Sequence, residues 1–459
     1  MALLLLTIFL LFFALASTCV NALVKNAKTA SPSADVQVDQ IIHTVKIHDY
    51  GLVSINDTLK LSSKDENGVL LQNFSIGFPF KYGVNLDYCF AYDASNPDEH
   101  FEVELDTGLG GQIGFYGVNV VFPGVNISNG ESYNLTVIFV FSNLVSYEIG
   151  TFNLDFPMYP SLVQNASVCN VTAILPPDAN CTDSTFHERG LIFNLTTLDH
   201  SQILKHTKSP LDSFSYEPAW LTFSIDEEPP LRVFSLINVH EIKREIKLDQ
   251  WGGIQLLDSY YVTNRRPIMS NIRLLLPKDA YDVSARDEFG YISALLQEER
   301  WTITFKTALA KDEEGKFTLT YRLPWKKYVN QHDWRDYYLN FSFFEEVDWT
   351  IRKLEVSITL PEGAEFQSSK PLEPSSVKKG VFQETITFAF FNVTPFQDLN
   401  FNLAYRYLAF WASFYATLWM GIIVIAACAI ALIWRAPKPP QIPTILAPPE
   451  DLRSFVEAY

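Results

Sequence analysis

The chain has 459 residues, of which 48% are hydrophobic, and its formal net charge at pH 7 is −17. A protein that binds nucleic acid needs a basic face, so this excess of acid excludes a DNA- or RNA-binding role. The charge is instead typical of a large exported domain that must remain soluble.

The first 22 residues are predicted to be a secretory signal peptide. Leu3–Leu15 is almost continuously apolar, and Val20-Asn21-Ala22 follows it as a small-residue cleavage site. We therefore expect residues 23 onward to enter a secretory compartment.

Two consecutive β domains are predicted next, at residues 23–229 and 230–407. Apolar residues alternate with polar ones from Ile41 onward, and no long stretch before the C-terminus has the period of a helix. The charged, proline-containing stretch Glu227–Pro230 marks the expected boundary between them. The predicted fold is mainly β, with two consecutive β-sandwich-like lumenal domains and one C-terminal transmembrane helix.

Within the second domain, Trp301–Phe305 and Phe317–Leu323 alternate cleanly and flank the turn-like stretch Lys311–Lys316. This arrangement predicts a β-hairpin. The last predicted strand, Leu399–Tyr407, runs into an apolar segment without a linker, so we expect the second domain to sit rigidly on a membrane.

The apolar segment is Leu408–Trp434, which contains no charged residue. It is long enough to cross a bilayer at about 1.5 Å per residue, and its aromatic residues are typical of membrane interfaces. Residues 435–459 are predicted to be a short, proline-rich cytoplasmic tail, which gives a single-pass type I topology. The aromatic half of the segment is the predicted docking face for a partner helix, with candidates Phe410, Trp411, Phe414 and Trp419.

N-x-S/T sequons occur more often than chance would give, which indicates a glycosylating compartment. The candidate sites are Asn56, Asn73, Asn126, Asn134, Asn165, Asn170, Asn180, Asn194 and Asn340; a tenth sequon, at Asn392, is disfavoured by the proline after it. Cysteine is scarce, and the pair expected to form a disulfide in this compartment is Cys169 and Cys181. Cys89 is then left as an odd thiol.

The sequence contains no complete catalytic motif that we recognise. Asp106-Thr107-Gly108 has the form of an aspartic-protease motif, but that chemistry needs two carboxylates and the chain contains no second copy. A turn capped by Asp106 is the favoured interpretation. No catalytic, cofactor-binding or metal-binding residue is predicted and no cofactor is expected, although two carboxylates of a glycosidase would leave no recognisable motif.

Several segments of the second half resemble the ribophorin I family. They are Arg244–Ile254 with its Trp-Gly turn, Leu276-Pro277 followed by Ala280–Ser293 (AYDVSARDEFGYIS), Leu354–Ala364 (LEVSITLPEGA), and Gln397-Asp398-Leu399 before one C-terminal span. They occur in the family's order and cover roughly residues 230–434. Tyr291 replaces the family's usual Asn, and the tail is shorter than that of animal members.

This resemblance implies a non-catalytic subunit of the oligosaccharyltransferase complex, which transfers a lipid-linked oligosaccharide en bloc to Asn in N-x-S/T sequons of nascent proteins. The implied partners are catalytic and accessory subunits, contacted through the membrane helix and the lumenal domains, and nascent glycoprotein chains. The implied location is the endoplasmic reticulum membrane, or the cell membrane if the source is archaeal. The alternative is a type I receptor or adhesion ectodomain unrelated to glycosylation.

Overall fold

The computed structural model describes residues 36–63, 65, 68–184, 196–198, 200–225, 234–297, 299–342, 349–408, 411 and 414–435. These residues form two sheet-rich domains followed by one long apolar helix, so the predicted fold class is confirmed. The predicted signal peptide, the predicted boundary at residues 229/230 and the tail after Arg435 lie outside the described residues.

The first domain consists of an 11-stranded sheet and a 4-stranded sheet that enclose one hydrophobic core. A 3-10 turn at Phe80–Asn85 follows its third strand. The strands are β1 (Val36–Ile47), β2 (Val53–Ser63), β3 (Val69–Pro79), β4 (Leu86–Asp93), β5 (Asn96–Leu105), β6 (Phe115–Ile127), β7 (Ser132–Phe141), β8 (Val145–Glu148), β9 (Thr151–Pro157), β10 (Ser161–Leu162), β11 (Cys169–Pro177), β12 (Ala179–Ser184), β13 (Thr196–Leu198), β14 (Ser201–Lys208) and β15 (Pro218–Ile225).

The second domain has a 10-stranded sheet, a 4-stranded sheet and its own core. Its strands are β16 (Ile237–Leu248), β17 (Gly253–Asn264), β18 (Ile268–Leu274), β19 (Tyr281–Asp287), β20 (Gly290–Gln297), β21 (Arg300–Ala310), β22 (Glu314–Pro324), β23 (Val329–Gln331), β24 (Asp336–Ser342), β25 (Ile351–Thr359), β26 (Glu365–Lys370), β27 (Ser376–Lys379), β28 (Glu384–Val393) and β29 (Asn400–Arg406). A single helical turn, α1 (Trp325–Tyr328), follows β22, and the last element among the described residues is α2 (Phe414–Arg435).

The two domains repeat one topology. The large sheets have the orders β10-β3-β6-β5-β4-β7-β2-β1-β11-β14-β13 and β18-β21-β20-β19-β22-β17-β16-β25-β28-β27, which correspond strand for strand except for the two-residue β10. The small sheets, β8-β9-β15-β12 and β23-β24-β29-β26, correspond as well. In each domain the first strand pairs antiparallel with the second and parallel with a much later one. The chain therefore contains an internal structural repeat, which the sequence pattern did not reveal.

The predicted hairpin in the second domain is wrong in its pairing. β21 lies between β18 and β20, whereas β22 lies between β17 and β19. The turn residues reverse the chain direction as expected, but β22 does not pair with β21. Buried side chains determine that it pairs with β17 instead. Phe317 of β22 stacks on Tyr260 of β17, with the ring centroids 4.7 Å apart and the planes nearly parallel.

A buried carboxylate occupies the same place in both repeats. Asp57 pairs with His43 across β1 and β2, and Asp258 pairs with Arg244 across the equivalent strands β16 and β17. The Arg244 guanidinium donates two hydrogen bonds, of 2.8 and 2.6 Å, to the Asp258 carboxylate, which also accepts one of 3.0 Å from Tyr321. Burial lowers the pKa of the Arg244 guanidinium, but Asp258, Tyr321 and Tyr260 together outweigh burial and raise it. Arg244 therefore stays charged inside the core.

In the first domain a histidine, His43, is the partner of the buried carboxylate. His43 Nε2 donates to the Pro157 carbonyl oxygen at 3.2 Å, because a carbonyl can only accept. His43 Nδ1 lies 2.5 Å from Asp57 Oδ1, so a short hydrogen bond joins β1 and β2 at this point. Pro157 ends β9 of the small sheet. His43 thereby ties the large sheet to the small one.

Removing one member of the Arg244–Asp258 pair should destabilise the second domain strongly. Arg244→Met leaves the Asp258 carboxylate buried without its cation, and we expect a loss of about 3–5 kcal/mol in the free energy of unfolding. Urea unfolding of the purified chain, followed by tryptophan fluorescence, measures this loss.

Lys243→Met is the matched control, because Lys243 is the exposed neighbour on the same strand and should change stability by less than about 0.5 kcal/mol. The triple variant Arg244→Met, Asp258→Leu, Tyr321→Phe removes the charges and the hydroxyl together and should recover most of the loss. Equal stability of Arg244→Met and Lys243→Met would contradict this account of the core.

Candidate partner interface

Helix α2 is the first surface available to partners. Its stretch Thr417–Arg435 is long and apolar enough to cross a membrane, and none of it is buried against the rest of the chain. The helix begins at Phe414, six residues after the predicted start of the apolar segment. Leu408 is not helical, and its carbonyl oxygen accepts a bond of 2.9 Å from the Trp411 amide.

The predicted docking residues have different environments. Trp411 packs on Phe414, with ring centroids 4.8 Å apart, and lies directly against Gly363, where a Cβ would collide with the indole. The Phe414 ring lies 5.8 Å from that of Phe382. Trp411 and Phe414 therefore seat the helix on the second domain. Trp419 is 60% exposed and stays available to a partner, and Phe410 lies outside the described residues.

A second candidate surface is the junction between the two domains. Tyr50, in the β1–β2 turn of the first domain, inserts into the core of the second. Its hydroxyl donates a 2.6 Å hydrogen bond to the Arg273 carbonyl oxygen, and its ring packs edge-on against Trp349 at 4.8 Å. The Phe90 ring lies 6.1 Å from Phe396 beside this contact. The sequence pattern did not identify these residues as an interface. Period-two alternation indicates that a residue is buried, but not whether its own domain or the other domain covers it.

A cleft of about 310 Å³ lies along this junction. Residues of both domains line it, and the polar and charged ones include Asp87, Asn143, Arg265, Thr350 and Arg352. Burial raises the pKa of the Asp87 carboxyl, and the nearby Ser142, Thr350 and Arg352 side chains offset only part of that shift. Asp87 Oδ2 is buried without a hydrogen-bond partner. The cleft is thus a polar space at the domain junction, and it contains a carboxyl whose pKa is raised by burial.

A third surface is an open groove of about 710 Å³ on the outer face of the second domain's large sheet. Acidic and basic side chains alternate around it, among them Glu241, Lys243, Arg286, Glu288 and Lys316. Tyr261 lies in the same groove, with Lys316 Nζ 5.1 Å above the ring centroid. Such a mixed surface suits an extended polar partner better than a small apolar ligand.

Comparison with known proteins finds a family match in the second half of the chain. The family model described as Ribophorin I matches residues 262–435, which run from β17 to the end of α2. This match, together with the two relatives described next, supports an assignment to the ribophorin I family.

Two Arabidopsis thaliana proteins show the same relationship. The dolichyl-diphosphooligosaccharide–protein glycosyltransferase subunit 1B is 26% identical over 34% of this chain and 38% of its own length. Subunit 1A is 24% identical over 68% of this chain and 55% of its own length. The chain thus matches about half, or less, of the length of these curated relatives.

Among solved structures, M1 zinc metallopeptidases of Deinococcus radiodurans are similar to part of the chain. One of them aligns at 15% identity with a TM-score of 0.28, over 37% of this chain and 42% of that one. Another, with a substituted glutamate and bound substrate, gives the same values. A likeness this weak carries no argument about activity, and no cluster of potential metal ligands occurs among the described residues.

The segments that resemble the ribophorin I family form turns and strands of the second domain. Asp249 Oδ1 accepts hydrogen bonds from the Trp251 and Gly253 amides, which fixes the Trp-Gly turn between β16 and β17. Asp287 Oδ1 accepts one of 2.8 Å from the Phe289 amide in the β19–β20 turn. Gly363 has φ +73° in the turn after β25. These residues stabilise turns of the domain. Arg286 and Glu288, which belong to the same segments, line the open groove.

Asp106 lies in the loop between β5 and β6 and has φ +53°. Gly108, two residues later, has φ +68°. The Thr107 amide donates 3.1 Å to the Gly117 carbonyl oxygen, so the motif closes a turn against β6. The interpretation of Asp106-Thr107-Gly108 as a turn agrees with this geometry.

The candidate sequons differ in exposure. Asn126, Asn134, Asn165, Asn180 and Asn340 are exposed, whereas Asn56, Asn73 and Asn170 are half-buried. Asn194 lies outside the described residues. The exposed group can carry a glycan without disturbing the sheets, and occupancy of all of them stays a prediction.

The expected bridge between Cys169 and Cys181 is not formed, and both thiols are free. Cys169 begins β11 in the large sheet and Cys181 lies in β12 of the small sheet. An extended strand rises about 3.3 Å per residue, so the length of β11 carries the chain about 26 Å away from Cys169. The four residues from Pro177 to Cys181 cannot return to within the roughly 7 Å that a disulfide allows. Burial raises the pKa of both Cys169 and Cys89, which keeps these thiols protonated.

Asp87 should make the stability of the domain junction depend on pH. Because native Asp87 holds its proton to a higher pH than the unfolded carboxyl, whose pKa is 3.8, the folded state loses stability as pH rises above that value. Asp87→Asn should therefore match the wild type below pH 3.8 and unfold at a higher temperature near neutral pH. Scanning calorimetry at the two pH values tests this.

Asp98→Asn provides the control, since Asp98 is an exposed carboxyl of the same domain. Its difference from the wild type should be small and unrelated to the junction. If Asp87→Asn differed from the wild type by the same amount at both pH values, the assignment of the shift to Asp87 would be wrong.

Proposed function

We propose that this chain is a non-catalytic subunit of the oligosaccharyltransferase complex, which transfers a lipid-linked oligosaccharide en bloc to Asn in N-x-S/T sequons of nascent proteins. The observation that carries the proposal is the family match, because it runs without interruption from the end of β17 through the rest of the second domain to the end of α2. The related Arabidopsis subunits 1A and 1B carry the name of the glycosyltransferase itself.

The architecture supports an accessory role. The first domain is fixed to the second by the buried Tyr50, and the second is fixed to α2 by Trp411 and Phe414. These contacts hold both domains in a defined position relative to the helix. A rigid support of this kind suits a subunit that positions other proteins or an acceptor chain.

Each of the three candidate surfaces suits a different kind of partner. Helix α2, through Trp419, is the proposed contact with a membrane-embedded catalytic subunit. The groove beside Arg286 and Glu288 and the cleft at the junction are the proposed contacts for accessory lumenal subunits or a nascent chain. The proposed location is the endoplasmic reticulum membrane, with both domains in the lumen and type I topology.

Purification of the tagged full-length chain in mild detergent tests the assignment. We expect a many-span catalytic subunit in near-equal amount by mass spectrometry, and sequon-transferase activity in the eluate. Trp419→Ala removes the proposed helix contact and should reduce recovery of that subunit several-fold.

Trp434→Ala is the matched control, because Trp434 is also exposed on α2 but lies at its opposite end. It should leave recovery unchanged. A lone, monodisperse wild-type chain without transferase activity would overturn the proposal and favour the receptor or adhesion alternative.

Glycan processing gives an independent test of location. A resident of the endoplasmic reticulum keeps high-mannose glycans, so digestion with endoglycosidase H should increase the gel mobility of the full-length chain. Substitution of Gln at Asn126, Asn134, Asn165, Asn180 and Asn340 together should remove most of that change. Glycans resistant to the enzyme would show passage through the Golgi apparatus and contradict residence in the reticulum.

A further inference from the structure

We propose that the end of the second domain from which α2 leaves lies in the lipid head-group region. It would contact the bilayer through Trp251, Trp334, Val381 and Phe382. This membrane-contact end goes beyond the proposed function, because it requires only that α2 crosses a bilayer and does not depend on any partner subunit.

The strand register places all four residues at one end of the domain. β16 ends beside the start of β17, and Gly253 is opposite Pro324, the last residue of β22. Lys247 is opposite Thr359 at the end of β25, which in turn pairs with Thr385 at the start of β28. The turns after β16, β25 and β27 therefore lie together.

The small sheet reaches the same end. Arg406, the last residue of β29, pairs with Asp336 at the start of β24 and with Glu365 at the start of β26. The turn between β23 and β24 therefore lies next to the point where the chain leaves for the membrane. The Tyr407 amide donates a 2.7 Å hydrogen bond to the Arg335 carbonyl oxygen and fixes that turn beside the exit.

The side chains at these turns are unusually apolar for solvent-facing positions. Trp251 is 75% exposed, Trp334 60%, Val381 89% and Phe382 45%. Tryptophan is enriched where a protein meets the membrane–water interface, because its ring is apolar and its N–H is polar. Each of the four lies at a turn tip, where it can enter the head-group region without distorting a strand.

The turns are also in direct contact with the start of the helix. The Gly363 amide donates a 2.8 Å hydrogen bond to the Phe382 carbonyl oxygen, which joins the turn after β25 to the turn after β27. Phe382 then contacts Phe414, and Gly363 contacts Trp411. The Val381–Phe382 tip is thus held at the level where the membrane helix begins.

Basic side chains lie beside the apolar tips at this end, together with carboxylates such as Asp333 and Glu362. Lys326 and Lys378 lie in or beside the same turns, and the Arg335 guanidinium lies 3.7 Å from the Trp334 ring centroid. Basic side chains next to interfacial aromatics are attracted to lipid phosphates. The nearby carboxylate of Asp249 is used within its own turn, where it accepts backbone hydrogen bonds.

The internal repeat supports the same conclusion. Tyr50-Gly51 of the first domain and Trp251-Gly252 of the second occupy the same turn of the repeated fold, and both glycines have positive φ. Tyr50 is buried because the second domain covers that end of the first. Trp251 lies at the corresponding end of the second domain, and the neighbour of that end is the membrane helix.

Spin labels on the full-length chain in single-copy lipid nanodiscs test the proposal. Val381→Cys and Trp334→Cys would be labelled separately, in a background where Cys181 and Cys428 are replaced because they are not buried. Ile113→Cys is the matched control, since Ile113 is also apolar and exposed (98%) but belongs to the first domain, in the loop before β6. Collision rates with oxygen and with a water-soluble nickel complex are measured for each label.

We expect the labels at 381 and 334 to collide with the nickel complex several-fold less often than the label at 113, and with oxygen at least as often. That combination means contact with lipid. Nickel accessibility equal to that at 113 would overturn the proposal, and so would protection from both reagents, which would mean burial against protein. Purified chain alone is used, so failure here leaves the proposed function untouched and failure of co-purification leaves this result untouched.

Discussion

The docking of one β domain on the next is the contact on which the shape of this protein depends. Tyr50 carries it: the ring is buried in the core of the second domain while the residue belongs to the first. Around it, Arg300 lies 3.8 Å from Asp49 and the Ser235 amide donates to the Asp49 carbonyl oxygen. A buried aromatic residue surrounded by polar contacts resists both bending and rotation at the junction. The two domains therefore keep one relative orientation.

The repeated topology shows which features belong to the fold and which to each copy. Both copies bury a carboxylate between their first two strands, yet one balances it with a guanidinium and the other with an imidazole. The large sheet and its parallel pairing recur in both domains. So does the irregularity in the first strand, after Val38 in β1 and after Val239 in β16. The two domains differ most at the end that carries the turn after their first strand. In the first domain the second domain covers this end, whereas in the second domain it lies next to the membrane helix.

Sequence patterning was sufficient for the strands and insufficient for their arrangement. Period-two alternation predicted mainly β structure, and the apolar C-terminal segment predicted a helix, because both signals arise from local burial. Pairing depends on contacts between distant residues, so the β21–β22 hairpin and the Cys169–Cys181 bridge were wrong. The contacts of Trp411 and Phe414 with the second domain could not be predicted for the same reason, and their role in partner docking stays a prediction. The repeat escaped notice because topology was kept while side chains diverged.

The long-range parallel pairing has a consequence for how the protein is made. Ile41 of β1 pairs with Cys169 of β11, more than a hundred residues later, so the first sheet cannot close until that later strand has emerged from the ribosome. Asn126, Asn134 and Asn165 lie in the intervening stretch. These residues therefore lie in or beside an incomplete sheet until β11 has been made. The order of synthesis thus keeps the stretch that carries several of the predicted sequons in an unfinished sheet until a much later part of the chain has been made.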